Sequence, residues 1–313
     1  MNNTVKDITD RFLAWMLDFI IRKTSNMSIK TRRKLAALLV KIALPFKFCR
    51  RDYMLKTIQE TLGVGEAEAQ RIMVKSTEEF VLNCFEMGSL MFMEADEINS
   101  KIKVEGLENV EAALSLGKGA IMVSGHFGLW EFIPHWLCLH GYKMSSVART
   151  QKNKYVDDWF KRMRCRHGAT VTDSGYAIRE IIRGLRQGHI MGLMMDQDNG
   201  KAGIFIRFLG KWASAPTGPA VIALKVGCPI LPIYLFPDYN GKHLMKAYPP
   251  IYTDGFDKGL EGQQKITQIY NDLHEKIIRE QPEQWFWLHK RWKTQPCDAP
   301  NNPWVAAGLV SLT

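Results

Sequence analysis

"GAIMVSGHFGLWEF" (residues 119–132) is a short apolar run between two glycines, followed at once by a histidine and an apolar, helix-compatible segment. An apolar run of this length between turn residues predicts a strand over 119–125, buried on both faces of a sheet. Leu129–His140, closed by Gly141, predicts a helix. The alternation recurs downstream. "KMSSVA" (143–148) reads as a strand and Tyr155–Arg166 as a helix; "ATVT" (169–172) and "HIMGLMM" (189–195) read as strands around the helix "YAIREIIRGLRQG". "PILPIYLF" (229–236) follows a helix at 216–226, "DYNGKH" carries Asn-Gly at a hairpin tip, and 260–280 form a last long helix. Strands separated by helices of this length predict an α/β fold, a mostly parallel central sheet flanked by helices.

Upstream the texture differs. Residues 5–23 read as a helix with a narrow polar stripe of Arg11, Ala14, Asp18 and Arg22. Phe12, Leu13, Trp15, Met16, Leu17, Phe19, Ile20 and Ile21 fill the rest of its circumference. The apolar stretch is short of the ~20 residues that span a bilayer. A helix lying in the membrane interface fits better, giving an N-terminal helical membrane-associating segment. A second helix, "SIKTRRKLAALLVKIALPF" (28–46), has Leu35, Leu38, Leu39 and Ile42 on one face and Lys34 and Lys41 on the other. Between Phe19 and Arg51 there are ten Lys or Arg and no acid, so this segment holds the whole +10 net charge of the chain. A polyanion is therefore expected here. The apolar face and the lack of a recognition module favour anionic membrane lipid, and no nucleic acid is expected.

The six cysteines show no CxxC or zinc-like spacing, and with no cleavable leader in the first residues a reducing, cytosol-facing compartment is expected. Without repeats or low-complexity linkers, the chain divides into basic amphipathic helices (1–60), an α/β domain (61–296, with a long lead-in helix at 65–93) and a tail (297–313).

Candidate chemistry gathers where strands end. His126 and Glu131 would sit ~140° apart on one helix and could not meet. With His126 in the loop after the strand and Glu131 in the first helical turn they converge, as a base and its orienting carboxylate. Arg149 ends the next strand, poised for an anionic group, and Arg164 lies in the basic helix that follows. Asp196 and Asp198 end another apolar strand, "MMDQDNG"; they read as a DxD metal pair or as acids holding substrate or Arg149. No other metal-ligand cluster, phosphate loop or GxSxG elbow is present. In "QWFWLHKRWKT" (284–294), either Trp285, Trp287 and Trp292 bury while Lys290, Arg291 and Lys293 stay wet, or the aromatic and cationic groups together form a lipid-headgroup or phosphate surface.

In this order the blocks resemble the bacterial lipid A secondary acyltransferase family over residues 25–295. "SGHFGLWE" looks like its H-x4-[DE] box, "VARTQKNKYVDDWFKRMRCRHG" like its arginine-centred block and "DQDNG…IFIRFLGKWASAPTGPAVIAL" like its third block; "PEQWFWLHKRWKT" is close to its C-terminal signature. The resemblance implies transfer of a fatty acyl group from acyl carrier protein, or coenzyme A, to a hydroxyl of a lipid A precursor, with no cofactor and no metal. His126 would be general base, Glu131 would orient it, and Arg149, Arg164 and Asp196 would bind substrate. It also implies attachment to the cytoplasmic face of the bacterial inner membrane; because residues 12–21 are short and contain Asp18, monotopic attachment is expected. The alternatives are acylation of another phosphoglycolipid or aminolipid, or a metal-dependent glycosyltransferase using Asp196 and Asp198.

Overall fold

The computed structural model describes residues 3–46, 49–173 and 177–311. Lys47 of the basic segment, Tyr176 of the helix expected at 176–188 and the last two residues of the tail lie outside them. The chain opens with helices α1 (Asn3–Ser25), α2 (Ile29–Ala43), α3 (Arg51–Leu62), α4 (Glu66–Ser89) and α5 (Ala95–Lys101). Strands and helices then alternate: β1 (Ile102–Glu105), α6 (Leu107–Leu114), β2 (Ala120–Ser124), α7 (Phe132–Leu139), β3 (Met144–Ala148), α8 (Lys154–Cys165), β4 (Thr170–Asp173), α9 (Ala177–Arg186) and β5 (Ile190–Met194). The remainder is β6 (Ile204–Phe208), β7 (Lys211–Ala215), α10 (Gly218–Val226), β8 (Ile230–Phe236), β9 (His243–Ala247), α11 (Leu260–Glu280) and α12 (Pro303–Ala306).

The main sheet has the order β1-β9-β8-β2-β5-β3-β4, and every neighbouring pair is parallel except β8–β9. The mostly parallel sheet expected from the alternation is therefore present. Strand β2 is buried along its whole length, and its side chains divide between two cores. Ile121 and Val123 pack with residues of α9, α10 and α11, whereas Ala120 and Met122 pack with residues of α7 and α8. That two-sided burial explains why the strand is a continuous apolar run rather than an alternating one. From β2 the chain moves to one side through β3 and β4, returns to insert β5, then crosses to β8 on the other side. Such a reversal opens a crevice at the carboxyl ends of the strands, where open α/β sheets bind ligands. The β6–β7 hairpin is a separate antiparallel pair; it, β1 and α6 are elements the sequence reading passed over.

The N-terminal helix meets the body through polar and apolar residues together: Arg11 Nε–H donates to Tyr155 Oη at 2.8 Å, Trp159 Nε1–H donates to Asp18 at 3.0 Å, and Ile21 is buried. Val5, Ile8, Phe12, Leu13, Trp15, Phe19 and Ile20 are exposed, as are Leu38 and Ile42 of α2. Eleven of the sixteen exposed large apolar side chains among the described residues lie between Val5 and Phe46, so the exposed apolar surface is concentrated on one part of the chain. No helix among the described residues is long and apolar enough to cross a membrane.

Among the described basic residues of this segment, Arg32 and Arg33 are tied to acids of α4. Arg32 is buried, pairs through Nη1 with Glu86 of α4 and donates to the Ser25 carbonyl at 2.7 Å, while Lys101 reaches the other oxygen of Glu86 at 2.9 Å. Arg33 pairs with Glu79 at 3.1 Å but is 41% exposed. Removing one partner of a buried pair strands the other charge, whereas water compensates an exposed one. Arg32→Ala is therefore expected to cost about 3–5 kcal/mol and Arg33→Ala less than about 1 kcal/mol, read from the midpoints of urea unfolding. Equal losses would refute this ranking.

Candidate active site

The register of the sheet assembles the site. Ser124 of β2 pairs with Met194 of β5, so His126 and Asp196, each two residues past that pair, emerge side by side. Arg149 follows the last residue of β3, on the far side of β5. Helix α7 starts at Phe132 rather than Leu129 because the intervening residues turn sharply. Gly128 has φ +59°, and a Cβ there would lie 2.2 Å from the Leu235 carbonyl oxygen, so only glycine lets the loop pass so close to β8. His126 is thereby held in a loop and not on a helix, as the sequence argument required.

The carboxylate on the imidazole is Asp196. His126 Nδ1 lies 2.8 Å from Asp196 Oδ1, the His126 backbone N–H donates to Oδ2 at 2.7 Å, and Trp285 Nε1–H donates to Oδ2 at 3.0 Å. Asp196 accepts a hydrogen bond here, which assigns the proton to Nδ1 and leaves Nε2 with its lone pair. The Asp196 side chain is 2% exposed and that of His126 23%. Burial by itself pushes the imidazole down, but the charge and hydrogen bond of Asp196, with a smaller push from Glu131, outweigh it and raise its pKa. Burial likewise pushes Asp196 up, yet the facing imidazole and the Trp285 donor hold it far below the usual carboxylate range.

Glu131 occupies a different place from the one expected. It receives Arg164 Nε–H at 3.0 and 3.1 Å and Nη2–H at 2.5 Å, and no hydrogen bond joins it to His126. Both residues line a cavity of about 370 Å³ with His126, Arg149, Gln197, Met122 and Gly192. Arg164 is thus neutralised as an anion site, while Arg149 is exposed and makes no ion pair among the described residues. Gln197 Nε2 stands 3.4 Å from His126 Nε2. Asp198 is engaged elsewhere: Thr294 donates to it through N and Oγ1 at 3.2 and 3.0 Å, and its own N–H donates to His289 Nε2 at 2.8 Å. With both carboxylates satisfied by N–H and O–H donors, and no cluster of metal-ligating side chains among the described residues, the DxD metal reading loses its support.

The aromatic-basic segment is a strap across the His126 loop. Phe286 N–H donates to the His126 carbonyl at 3.2 Å, Gly128 N–H donates to the Gln284 carbonyl at 3.0 Å, and Trp285 and Trp287 bury. Contrary to expectation Arg291 is fully buried, donating through Nη1 to the Ser214 carbonyl at 2.5 Å. An apolar segment with spaced cations cannot disclose which cation faces inward, because a backbone carbonyl leaves no mark in the sequence.

The family of bacterial lipid A biosynthesis acyltransferases is matched over residues 2–294. Among curated relatives, phosphatidylinositol mannoside acyltransferase of Mycobacterium tuberculosis is 25% identical over 77% of this chain and 77% of its own. Lipid A biosynthesis lauroyltransferase of Escherichia coli is 25% identical over 76% and 77%, and palmitoleoyltransferase of the same organism is 26% identical over 82% of each chain.

The two acids predict distinct titrations. Because Asp196 supplies most of the stabilisation of the imidazolium, Asp196→Asn should move the His126 ring titration to clearly lower pH, and Glu131→Gln should move it less in the same direction. Ring-proton NMR resolves the two; a larger shift for Glu131→Gln would make Glu131 the principal partner.

Proposed function

Because the chain belongs to the bacterial lipid A biosynthesis acyltransferase family, we propose that this O-acyltransferase moves a fatty acyl group from an acyl carrier protein or coenzyme A thioester to a hydroxyl of a lipid A precursor. One observation carries the reading: a histidine whose Nδ1 is fixed by a buried carboxylate presents Nε2 to a cavity at the carboxyl end of the sheet. The acceptor hydroxyl gives its proton to Nε2 as its oxygen attacks the thioester carbonyl. The tetrahedral oxyanion collapses, the C–S bond breaks, and the imidazolium returns the proton to the leaving thiolate. Asp196 holds the ring throughout and stabilises the charge it acquires. No enzyme nucleophile is needed, since the attacking oxygen arrives with the acceptor.

The N–H groups of residues 126–129 donate to Asp196, Gly125, Gln284 and Leu235. The Gln197 carboxamide beside Nε2 is the donor within reach, and Arg149 is the cation free to meet an anionic part of donor or acceptor. The slot floored by Met122, Gly192 and Met194 takes the reacting end of an acyl chain. Phosphatidylinositol mannoside acyltransferase relatives favour a second reading, in which the hydroxyl belongs to another phosphoglycolipid.

The outward apolar stripes of α1 and α2, bordered by Lys23, Lys34 and Lys41, support attachment to an anionic membrane face without a crossing. Acyl carrier protein, an acidic partner, suits the same charge.

Purified protein supplied with acyl carrier protein thioesters of several lengths and a lipid A precursor should acylate the precursor. His126→Ala should lower kcat by about 10²–10⁴-fold while the protein stays folded; full activity in that variant would remove the base from the mechanism. Trp15→Glu/Phe19→Glu should lose sedimentation with vesicles of anionic phospholipid and keep its melting temperature, since both rings are exposed.

A further inference from the structure

Beneath Asp196 lies a second imidazole with no hydrogen-bond partner among the described residues. His274 of α11 is fully buried, and neither ring nitrogen is satisfied. Its Nε2 is 3.8 Å from Asp196 Oδ2, the oxygen turned away from the His126 ring. The ring is held flat between two aromatic faces, Tyr234 of β8 at 5.4 Å and 19° and Phe208 of β6 at 5.8 Å and 13°, with Trp285 edge-on at 6.1 Å. Buried polar groups are nearly always paired, so an unpaired histidine aimed at the carboxylate of a candidate dyad calls for an explanation.

Gly125 supplies an independent observation. A Cβ at this position would lie 2.3 Å from His274 Cε1, 2.7 Å from Nε2 and 3.1 Å from Asp196 Oδ2. Its backbone is not in the left-handed region, so glycine is required here for room and not for conformation. The glycine that precedes His126 is thus the space into which the edge of His274 projects.

We propose that His274 is a positioning residue for the His126–Asp196 pair, directing its Nε2–H at Asp196 Oδ2 so that the carboxylate keeps one orientation and part of its charge is drawn away from the His126 ring. The tautomer follows from electrostatics: an N–H dipole toward the carboxylate attracts, whereas an Nε2 lone pair in that place would repel. At 3.8 Å the contact is longer than a hydrogen bond and acts as a charge–dipole interaction, strengthened by the water-free surroundings. Neutrality is supported by burial, which pushes His274 down to about 4. The groups that face it are Asp196, which opposes that push, and Arg291 and His126, which add to it. Tyr234 flanks it from β8, and Tyr270 lies one turn earlier on α11.

The roles of His126 and Asp196 are those of the acyl-transfer reading, but the first readout does not need turnover. His274→Phe keeps the stacked ring and removes the N–H. The His126 ring titration should then move up by roughly half a unit to one unit, because more of the Asp196 charge acts on it. In the acyl-transfer assay kcat should fall roughly ten-fold with KM unchanged, and His274→Gln, which restores a donor, should recover both. Should the phenylalanine variant fail to fold, Gly125→Ala/His274→Ala fills the same room from the other side and should show the same upward shift. A wild-type His126 titration in either folded variant would overturn the proposal. So would equal losses in His274→Gln and His274→Phe matched by equal drops in melting temperature, which would make the ring a packing element. Failure of the acyl-transfer assay alone leaves the titration result standing.

Discussion

A carboxylate kept ionised in the dry interior is the constraint around which the rest is arranged. An isolated buried charge is prohibitively costly, and Asp196 is tolerated because the His126 ring, the His126 amide and the Trp285 indole all donate to it. These donors arrive from two separate stretches of chain. The sheet register delivers the first two, and the strap at 284–294 delivers the third. The strap also closes over the His126 backbone, so the donor that stabilises Asp196 and the loop that carries His126 are held by the same residues.

Around that pair the polar groups are layered. Toward solvent, Glu131 and Arg164 neutralise one another at the cavity wall and leave Arg149 as the accessible cation. Toward the core, Asp198 anchors the strap through Thr294 and His289, and Arg291 ties it to the β7 carbonyl of Ser214. The acids and bases that look interchangeable along the chain therefore divide into one histidine–carboxylate pair at the cavity and several ion pairs and anchors around it.

The N-terminal helices obey the same physics with the sign reversed. Hydrogen bonds through Arg11 and Asp18 hold α1 to α8 and Ile21 packs into the core, while Phe12, Trp15 and Phe19 remain outside. For a helix in water alone this arrangement exposes apolar area at a cost of about 25 cal/mol per Å², and contact with lipid removes that cost. Helix α2 also exposes Leu38, Leu39 and Ile42, and Arg32 and Glu86 lock it to α4.

Much of this was legible in the residue order. Apolar runs between glycines marked the buried strands, their alternation with helices marked a parallel sheet, and a helix read from Leu129 onward left His126 in the loop before it. Local chemistry suffices for such readings, because periodicity, turn residues and helix geometry act within a few residues. Which carboxylate meets the histidine was beyond it. Glu131 is five residues away and Asp196 seventy, yet β2 and β5 are neighbours only because the chain returns to insert β5 between β2 and β3. The inward Arg291 and the room that Gly125 leaves for His274 were hidden for the same reason. Sequence by itself determined the type of most elements around the site and where the candidate residues fall along them. Tertiary structure alone decided their partners, because strand order and register are set by long-range packing and not by neighbours in the chain.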